Sequence, residues 1–322
     1  MTVQQVTKTV HRSTYAAIDP TKPSNSTRGK VVIISGGAGG IGHAIARGFC
    51  KSGARIVILL GRRKHPLETA AASLNGEYGT DVWIYSVDIC STEAVNSTFE
   101  TIRERLKVKE GISDADTLVA CAAVLEQGEN ILDFGAQDVR HSFDTNVFGN
   151  LNLVRAFLEP QKALIPKGLA FGVALGATKE VDTESTTIPS KVIVDVSSAA
   201  IHMQVPGASL YSTSKLAFTH VMRHLQSELD RLPNAPIRIH SFHPGAILTP
   251  GTRALGLDEN SYPWDDESLP EGFAVWLTSP AAAFLKGRFI WSSWDVDELI
   301  EMREVFEKDP EFCTVSLKQD VR

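Results

Sequence analysis

Cysteine is scarce in this sequence, and its spacing argues against two kinds of site. The chain has 322 residues and four cysteines, none of them in a CxxC pair. Isolated cysteines do not indicate a zinc site or a disulfide framework, so we expect reduced thiols and no bound metal. The histidines form no metal-binding spacing with a nearby carboxylate either. The residues concerned are Cys50, Cys90, Cys121, Cys313, His202, His220, His224, His240 and His243.

The sequence also lacks a basic cluster and a long hydrophobic run. Its formal net charge is −6, whereas a nucleic-acid surface requires clustered positive charge. No run approaches the roughly 18 uninterrupted apolar residues of a membrane helix, and residues 1–30 contain no apolar stretch typical of a secretion signal. We therefore expect a cytoplasmic protein that binds neither nucleic acid nor membrane.

Short apolar runs alternate with helical patterns from residue 30 onward. Their near-continuous valine and isoleucine content indicates strands that are buried on both faces, as in a parallel sheet covered by helices. The pattern predicts an α/β fold of the Rossmann type, a doubly wound parallel sheet with helices on both faces. The runs are residues 31–35, 55–60, 82–87, 117–121, 191–196 and 237–242.

A glycine-rich turn follows the first of these strands. Gly36, Gly40 and Gly42 carry no side chain where the backbone must turn tightly and approach a pyrophosphate. The helix that begins there, which includes Ile41, offers free N–H groups and the positive end of its dipole to an anion. A glycine turn without a ligand is the alternative. The strand before the turn and the helix after it favour a dinucleotide site.

The ends of the second and third strands bear on the choice of dinucleotide. An acidic residue would bind the ribose 2′-OH of NAD, but the second strand ends in Arg62 and Arg63, which suit the 2′-phosphate of NADP. The alternative is a solvated basic helix start. Asp88 ends the third strand, where its carboxylate would meet adenine or would simply begin a turn or cap the next helix. We expect NADP rather than NAD.

A serine, a tyrosine and a lysine point to proton transfer. Tyr211 and Lys215 are four residues apart and share a helix face, and an ammonium beside a phenol stabilises the phenolate. Such a pair is common on helix surfaces and carries little weight alone. Ser198 lies thirteen residues before Tyr211, at the end of a predicted buried strand. Together with a dinucleotide site, these residues predict hydride transfer.

These motifs resemble the classical short-chain dehydrogenase/reductase family, in a fungal-type member, over roughly residues 30–255. The family pattern TGxxxGIG matches with Ser35 in place of threonine. The active-site segment matches at Tyr211 and Lys215, and the family spacing selects Ser198 rather than Ser197.

Two further segments match the family, and one departs from it. The family asparagine falls on Asn146, and the family segment PGxxxT appears as Pro244–Thr249. In place of the family's NNAG the chain has Ala120–Ala123, so asparagine side chains that brace the fourth strand are missing. Since Ala122 would approach the cofactor through its backbone, we expect altered stability or adenosine contacts there, not lost chemistry.

The resemblance implies an NADP-dependent oxidoreductase that interconverts a carbonyl and a secondary alcohol. Ser198 would donate a hydrogen bond to the substrate oxygen, and Tyr211 would donate the proton. Lys215 would stabilise the phenolate and hold the nicotinamide ribose, and Asn146 would position a water. The residues expected to contact the nicotinamide end of the cofactor are Tyr211, Lys215, Pro244, Ile247 and Thr249.

The resemblance also implies a homodimer or homotetramer assembled through the helices near Asn146 and Tyr211, and a role in secondary metabolism. The absence of converging cationic groups near the predicted pocket favours a small, fairly apolar substrate. Three alternatives stay open: an NAD-dependent alcohol dehydrogenase, a cofactor-assisted isomerase, and a non-catalytic NADP-binding scaffold.

The composition suggests how the chain is divided. Residues 1–29 are rich in proline, serine, asparagine and threonine, which suits an N-terminal surface arm. Residues 30–322 are predicted to form a single Rossmann-type catalytic domain. It would contain an insertion at about 165–190, a substrate loop at about 248–270 and a C-terminal extension.

Overall fold

A seven-stranded parallel sheet organises the molecule, for which we describe a computed structural model covering residues 5–126, 128, 130–164 and 188–315. The strand order is β3-β2-β1-β4-β5-β6-β7, and every neighbouring pair is parallel. The strands are β1 (Val31–Ser35), β2 (Ile56–Gly61), β3 (Asp81–Ser86), β4 (Thr117–Ala120), β5 (Lys191–Val196), β6 (Ile237–His243) and β7 (Phe289–Trp291).

Helices cover both faces of this sheet. Within β1, Val32 and Ile34 face one hydrophobic cluster while Val31 and Ile33 face the other, because successive side chains of a strand point in opposite directions. The predicted doubly wound fold is therefore confirmed. The helices are α1 (Gly40–Lys51), α2 (Lys64–Tyr78), α3 (Thr92–Glu110), α4 (Ala136–Phe143), α5 (Asn150–Leu158), α6 (Ser209–Leu229), α7 (Pro250–Ala254), α8 (Ser268–Thr278), α9 (Val296–Glu301) and α10 (Arg303–Lys308).

The strand order reverses between β1 and β4, which are neighbours in the sheet. In open α/β sheets, ligands bind in the crevice outside the carboxyl ends of the strands at such a reversal. The glycine turn after β1 and the Ala120–Ala123 segment at the end of β4 both lie there.

The residues ahead of β1 pack more closely than their composition predicts. Ile18 is fully buried, and its carbonyl oxygen would lie 2.5 Å from a Cβ atom added to Gly272 of α8. Asn25 is also buried, and its side-chain amide donates to the carbonyls of Ala17 and Asp19 at 3.0 and 2.9 Å. The Asn25 side chain thus supplies hydrogen-bond donors to two backbone carbonyls that lie outside any helix or strand. The division of the chain into an arm and a catalytic domain stays a prediction.

The later part of the chain differs from the sequence pattern in one respect. The short strand β7, which pairs with β6, was not among the predicted strands. The predicted substrate loop holds α7 and the start of α8. Most of the predicted insertion lies outside the described residues. None of the described helices has the length and apolar character that would let it cross a membrane.

Candidate active site

The glycine turn after β1 leaves no room for a side chain at Gly36, and the first turn of α1 leaves none at Gly42. A Cβ atom on Gly42 would lie 2.4 Å from the carbonyl oxygen of Gly36, and one on Gly36 would lie 3.2 Å from Cα of Ala122. Gly36 also has a φ of +69°, which favours glycine. The turn therefore needs glycine at both positions, and α1 begins directly behind it at Gly40. A bare turn at a helix N-terminus suits a pyrophosphate.

Ser35 ties this turn to the end of β4. Its Oγ accepts hydrogen bonds from the backbone N–H groups of Cys121 and Ala122, each at 3.0 Å, and donates to the carbonyl of Val119 at 3.4 Å. Ser35 is fully buried. The Ser35 hydroxyl thus connects the end of β1 to the end of β4.

Two asparagines from a later segment hold the Ala120–Ala123 segment from the other side. The side chain of Asn146 accepts from the N–H of Val124 at 2.8 Å and donates to its carbonyl at 2.9 Å. Asn150 donates to the carbonyl of Ala122 at 3.0 Å. These bonds brace the strand end although the segment has no asparagine of its own. Sequence reasoning missed Asn150, whose spacing of four from Asn146 was the available signal.

Asn146 also connects to the helix that carries the tyrosine. It is fully buried in one π-helical turn, Asp144–Gly149, between α4 and α5. Its amide donates to Oγ of Ser214 at 2.9 Å, and that hydroxyl donates to the carbonyl of Tyr211 at 3.0 Å. The first turn of α6 is thereby positioned against the end of β4.

Tyr211 and Lys215 occupy successive turns of α6. Lys215 is 2% exposed, and its Nζ donates to the carbonyl of Val196 at 2.7 Å. Tyr211 is half-buried. Because Val196 is the last residue of β5, this bond holds the tyrosine-bearing face of α6 next to the carboxyl end of β5, where Ser198 follows.

The hydroxyl of Ser198 is oriented by the backbone. Its Oγ accepts from the N–H of Ala200 at 3.2 Å, at the start of a short 3-10 helix, Ala199–Ile201. No described residue accepts from the serine hydroxyl, which is therefore available as a donor, and the side chain is only half-buried. The next N–H, of Ala199, donates to Nδ1 of His243 at 3.1 Å.

Two titratable groups that sequence reasoning did not assign lie near Lys215, and one of them is fully buried. Asp195 on β5 is fully buried, and its Oδ2 accepts from Thr219 at 2.8 Å. Burial raises the pKa of Asp195, and the nearby charge of Lys215 opposes that shift. Burial also raises the pKa of the Cys121 thiol to about 11. The signal for Asp195 was a single acid within the apolar run of β5.

The PGxxxT segment folds over the glycine turn. A Cβ atom on Gly40 would lie 3.3 Å from Cβ of Thr249, so the two segments nearly touch. Thr249 caps α7 by accepting from the N–H of Thr252 at 3.1 Å, and Ile247 is buried beside Asp265. The segment predicted to meet the nicotinamide end thus lies directly against the turn predicted to bind the pyrophosphate.

The residues predicted to meet the adenosine lie further along the same edge. Arg62 and Arg63 are exposed at the start of α2, and in the described part of the chain neither guanidinium has a hydrogen-bond or ion-pair partner. Asp88 begins a turn, since its Oδ1 accepts from the N–H of Cys90 at 3.0 Å, while Ser91 caps α3. Asp88 therefore begins a turn, which was one of the roles that the sequence suggested, and its contact with adenine stays a prediction.

Comparison with known proteins assigns the family. A family model described as "short chain dehydrogenase" matches residues 30–165 and 178–260. The chain is 34% identical to short chain dehydrogenase/reductase nsrO of Aspergillus novofumigatus over 97% of this chain and 96% of that protein. It is 30% identical to short chain dehydrogenase/reductase AacuD of Aspergillus aculeatus over 97% and 96%.

Solved structures share the fold. L-sorbose reductase from Gluconobacter frateurii, complexed with NADPH and L-sorbose, superposes with a TM-score of 0.65 at 22% identity, covering 83% of this chain and 96% of that one. The Pseudomonas aeruginosa RhlG/NADP active-site complex superposes with a TM-score of 0.67 at 21% identity, covering 84% and 96%. The chain belongs to the short-chain dehydrogenase/reductase family, as a fungal-type oxidoreductase with a fold that binds a nicotinamide cofactor.

Proposed function

We propose that this protein is an NADP-dependent oxidoreductase that interconverts a carbonyl and a secondary alcohol on a small, fairly apolar organic substrate. The observation that carries the proposal is the bond from Lys215 to the carbonyl of Val196. It holds the ammonium, and with it the face of α6 that carries Tyr211, at the carboxyl end of β5, where Ser198 follows. When bound, the nicotinamide would supply or accept the hydride.

The proposal assigns each side chain a role in proton transfer. Ser198 donates its free hydrogen to the substrate oxygen, and Tyr211 gives that oxygen a proton in the reductive direction. Lys215 stabilises the phenolate that remains. Asn146 would position a water, as the family resemblance implies; its side chain is bonded to Val124 and Ser214, and its main-chain carbonyl accepts from the amide of Asn150 at 3.2 Å.

The choice of NADP rests on the end of β2. Arg62 and Arg63 are exposed and unpaired in the described part of the chain, as a site for a 2′-phosphate requires. The complexes of L-sorbose reductase with NADPH and of RhlG with NADP agree with this choice. A higher kcat/KM for NADH than for NADPH would favour the NAD-dependent alternative.

The chemical character of the substrate follows from the charges around the crevice. In the substrate loop, Arg253 is paired with Glu259 at 2.6 Å. Burial lowers the pKa of His243 to about 3, so this imidazole stays neutral at physiological pH. No cation among these groups is positioned to bind an anionic substrate, which favours a neutral one. We further propose a cytoplasmic role in secondary metabolism.

The decisive experiment replaces the proposed proton donor. Tyr211→Phe keeps the ring but removes the hydroxyl, so we expect the variant to fold and to bind NADPH like the unmodified protein. With a panel of carbonyl substrates, followed by the absorbance of the reduced cofactor, turnover should fall by about a hundredfold or more. Retained turnover would refute the assignment. Product formed without net oxidation of the cofactor would indicate the isomerase alternative.

A further inference from the structure

The segment ahead of β1 contacts the loop that follows the PGxxxT segment. Nε of Arg12 donates to Oδ1 of Asp265 at 2.9 Å, and its Nη2 donates to the carbonyl of Pro263. In the opposite direction, the N–H of Asp266 donates to the carbonyl of Arg12 at 2.7 Å. The side chain and the backbone of Arg12 therefore both bind the loop at residues 263–266.

Asp265 connects the same contact to the PGxxxT segment. Its Oδ2 accepts from the N–H of Ala246 at 2.8 Å, and its own N–H donates to the carbonyl of Ala246 at 2.7 Å. Gly245 leaves space for this carboxylate, because a Cβ atom there would lie 2.9 Å from Oδ2 and its φ is +96°. The carboxylate thus bonds the N-terminal segment with one oxygen and the PGxxxT segment with the other.

The backbone that presents Arg12 is itself fixed. The neighbouring His11 bonds Asp295 through Nε2 at 2.7 Å and stacks on the ring of Tyr15, with centroids 3.5 Å apart. The phenol of Tyr15 accepts from the N–H of Val296 at 2.7 Å. Because both sides of Arg12 are anchored to the C-terminal extension, its guanidinium is held in place rather than carried by a loose tail.

We infer that Arg12 and Asp265 form a brace through which the N-terminal segment sets the affinity for the nicotinamide end of the cofactor. The brace fixes the backbone at Ala246, three residues before Thr249, and Thr249 lies directly against Gly40 of the phosphate-binding turn. A shift of the PGxxxT segment would therefore change the width of the crevice. Both residues are positioning residues, and the inference rests on the proposed function.

The first test compares two arginines of the N-terminal segment. Arg12→Gln removes the brace, while Arg28→Gln makes the same change at an exposed arginine whose side chain has no partner in the described part of the chain. We expect Arg12→Gln to raise the Kd for NADPH, measured by direct titration, about threefold to fivefold. The KM for NADPH should rise in proportion, with kcat at saturation and Tm close to those of Arg28→Gln.

Two further variants test whether the loss of affinity for NADPH comes from the bond between Arg12 and Asp265 or from a general loss of stability. Arg12→Lys keeps the ion pair and should recover most of the affinity for NADPH. Asp265→Asn should weaken binding at least as much as Arg12→Gln, because it also disturbs the bond to Ala246, and the double variant should bind no worse than Asp265→Asn alone, because the bond between the two side chains is already lost. Additive losses, or an Arg12→Lys variant as weak as Arg12→Gln, would refute the brace.

The outcomes distinguish the two proposals. If the unmodified protein binds NADPH and Arg12→Gln binds it as tightly as Arg28→Gln does, the brace is wrong and the proposed function stands. If the unmodified protein binds neither NADPH nor NADH in direct titration, the proposed function is wrong and the brace falls with it.

Discussion

Lys215 is the charged group around which the candidate site is built. Its side chain is buried, and one acid and one thiol lie near it. Burial opposes ionisation of Asp195 by raising the pKa of that carboxyl, and it raises the pKa of the Cys121 thiol to about 11. The positive field of Lys215 is thus available to a developing phenolate on Tyr211, one helical turn away.

Ser35 offers the clearest stability prediction for a single residue. Ser35→Ala removes the acceptor of two backbone N–H groups, those of Cys121 and Ala122, in a buried environment. An unsatisfied buried donor costs about 1–3 kcal/mol, so we expect the free energy of unfolding to fall by roughly 2 kcal/mol in denaturant titrations.

The matched control for this change is another buried serine. Ser142 is fully buried, and its Oγ has no hydrogen-bond partner in the described part of the chain. Ser142→Ala removes a hydroxyl of the same size but no hydrogen bond, so it should leave the free energy of unfolding nearly unchanged. Equal losses in both variants would show that the Ser35 bonds do not brace the end of β4.

Among the elements, β6 contains two histidines that the fold keeps neutral. His240 is 1% exposed, and neither of its ring nitrogens has a partner among the described residues. Burial lowers the pKa of His240 to about 3, and it lowers that of His243, which packs edge-on against Trp291 at 4.6 Å, to the same value. Neither ring can take up a proton in the folded state at mildly acidic pH.

The stability of the fold should therefore decrease in acid. The folded-state pKa of His240 lies below the ordinary value of 6.5, so between these values the unfolded chain binds a proton that the folded chain does not. The free energy of unfolding therefore begins to fall as the pH drops through about 6.5, and its slope approaches about 1.4 kcal/mol per pH unit for each such histidine roughly one unit lower. Urea titrations at pH 7.5, 6.5 and 5.5 would measure this slope.

Replacing the ring isolates the contribution of one histidine. His240→Phe has no proton to gain, so its stability should depend less steeply on pH than that of the unmodified protein. His65→Gln, at an exposed position on α2, should leave the slope unchanged. A slope that is the same in all three proteins would contradict the assignment to His240.

The elements that the sequence predicted best are those defined by local patterns. The glycine spacing between Gly36 and Gly42 and the apolar run of β1 indicated a tight strand-to-helix turn, because both signals lie within a few residues. The strand β7 has three residues and no periodicity of its own. The packing of Ile18 against Gly272 joins residues 254 positions apart, a contact that no local pattern encodes.

The same limit applies to the candidate site. Ser198, Tyr211 and Lys215 could be recognised from the sequence because they lie at fixed spacings within one short stretch of chain. The bonds from Asn150 to Ala122 and from Arg12 to Asp265 depend on how distant segments meet in the folded molecule. The sequence indicated the reacting groups, whereas the groups that hold them in position could be identified only from the folded structure.

At the scale of the whole molecule, two large apolar side chains remain exposed on the helices around Asn146. Phe148, in the π-helical turn between α4 and α5, is 56% exposed, and Val139 on α4 is 39% exposed. A phenylalanine in solvent forfeits the stabilisation that burial provides. These side chains support the proposal that two copies of the chain associate through the helices around Asn146, as a homodimer or as part of a homotetramer.

A charge on these helices should prevent that association. Phe148→Glu would place a carboxylate opposite its symmetry-related copy in a twofold interface, where like charges repel and lose hydration. We expect light scattering after gel filtration to give the monomer mass for Phe148→Glu and a multiple of it for the unmodified protein. Val108→Glu is the control, because Val108 is 77% exposed on α3. Identical masses for all three proteins would place any interface elsewhere.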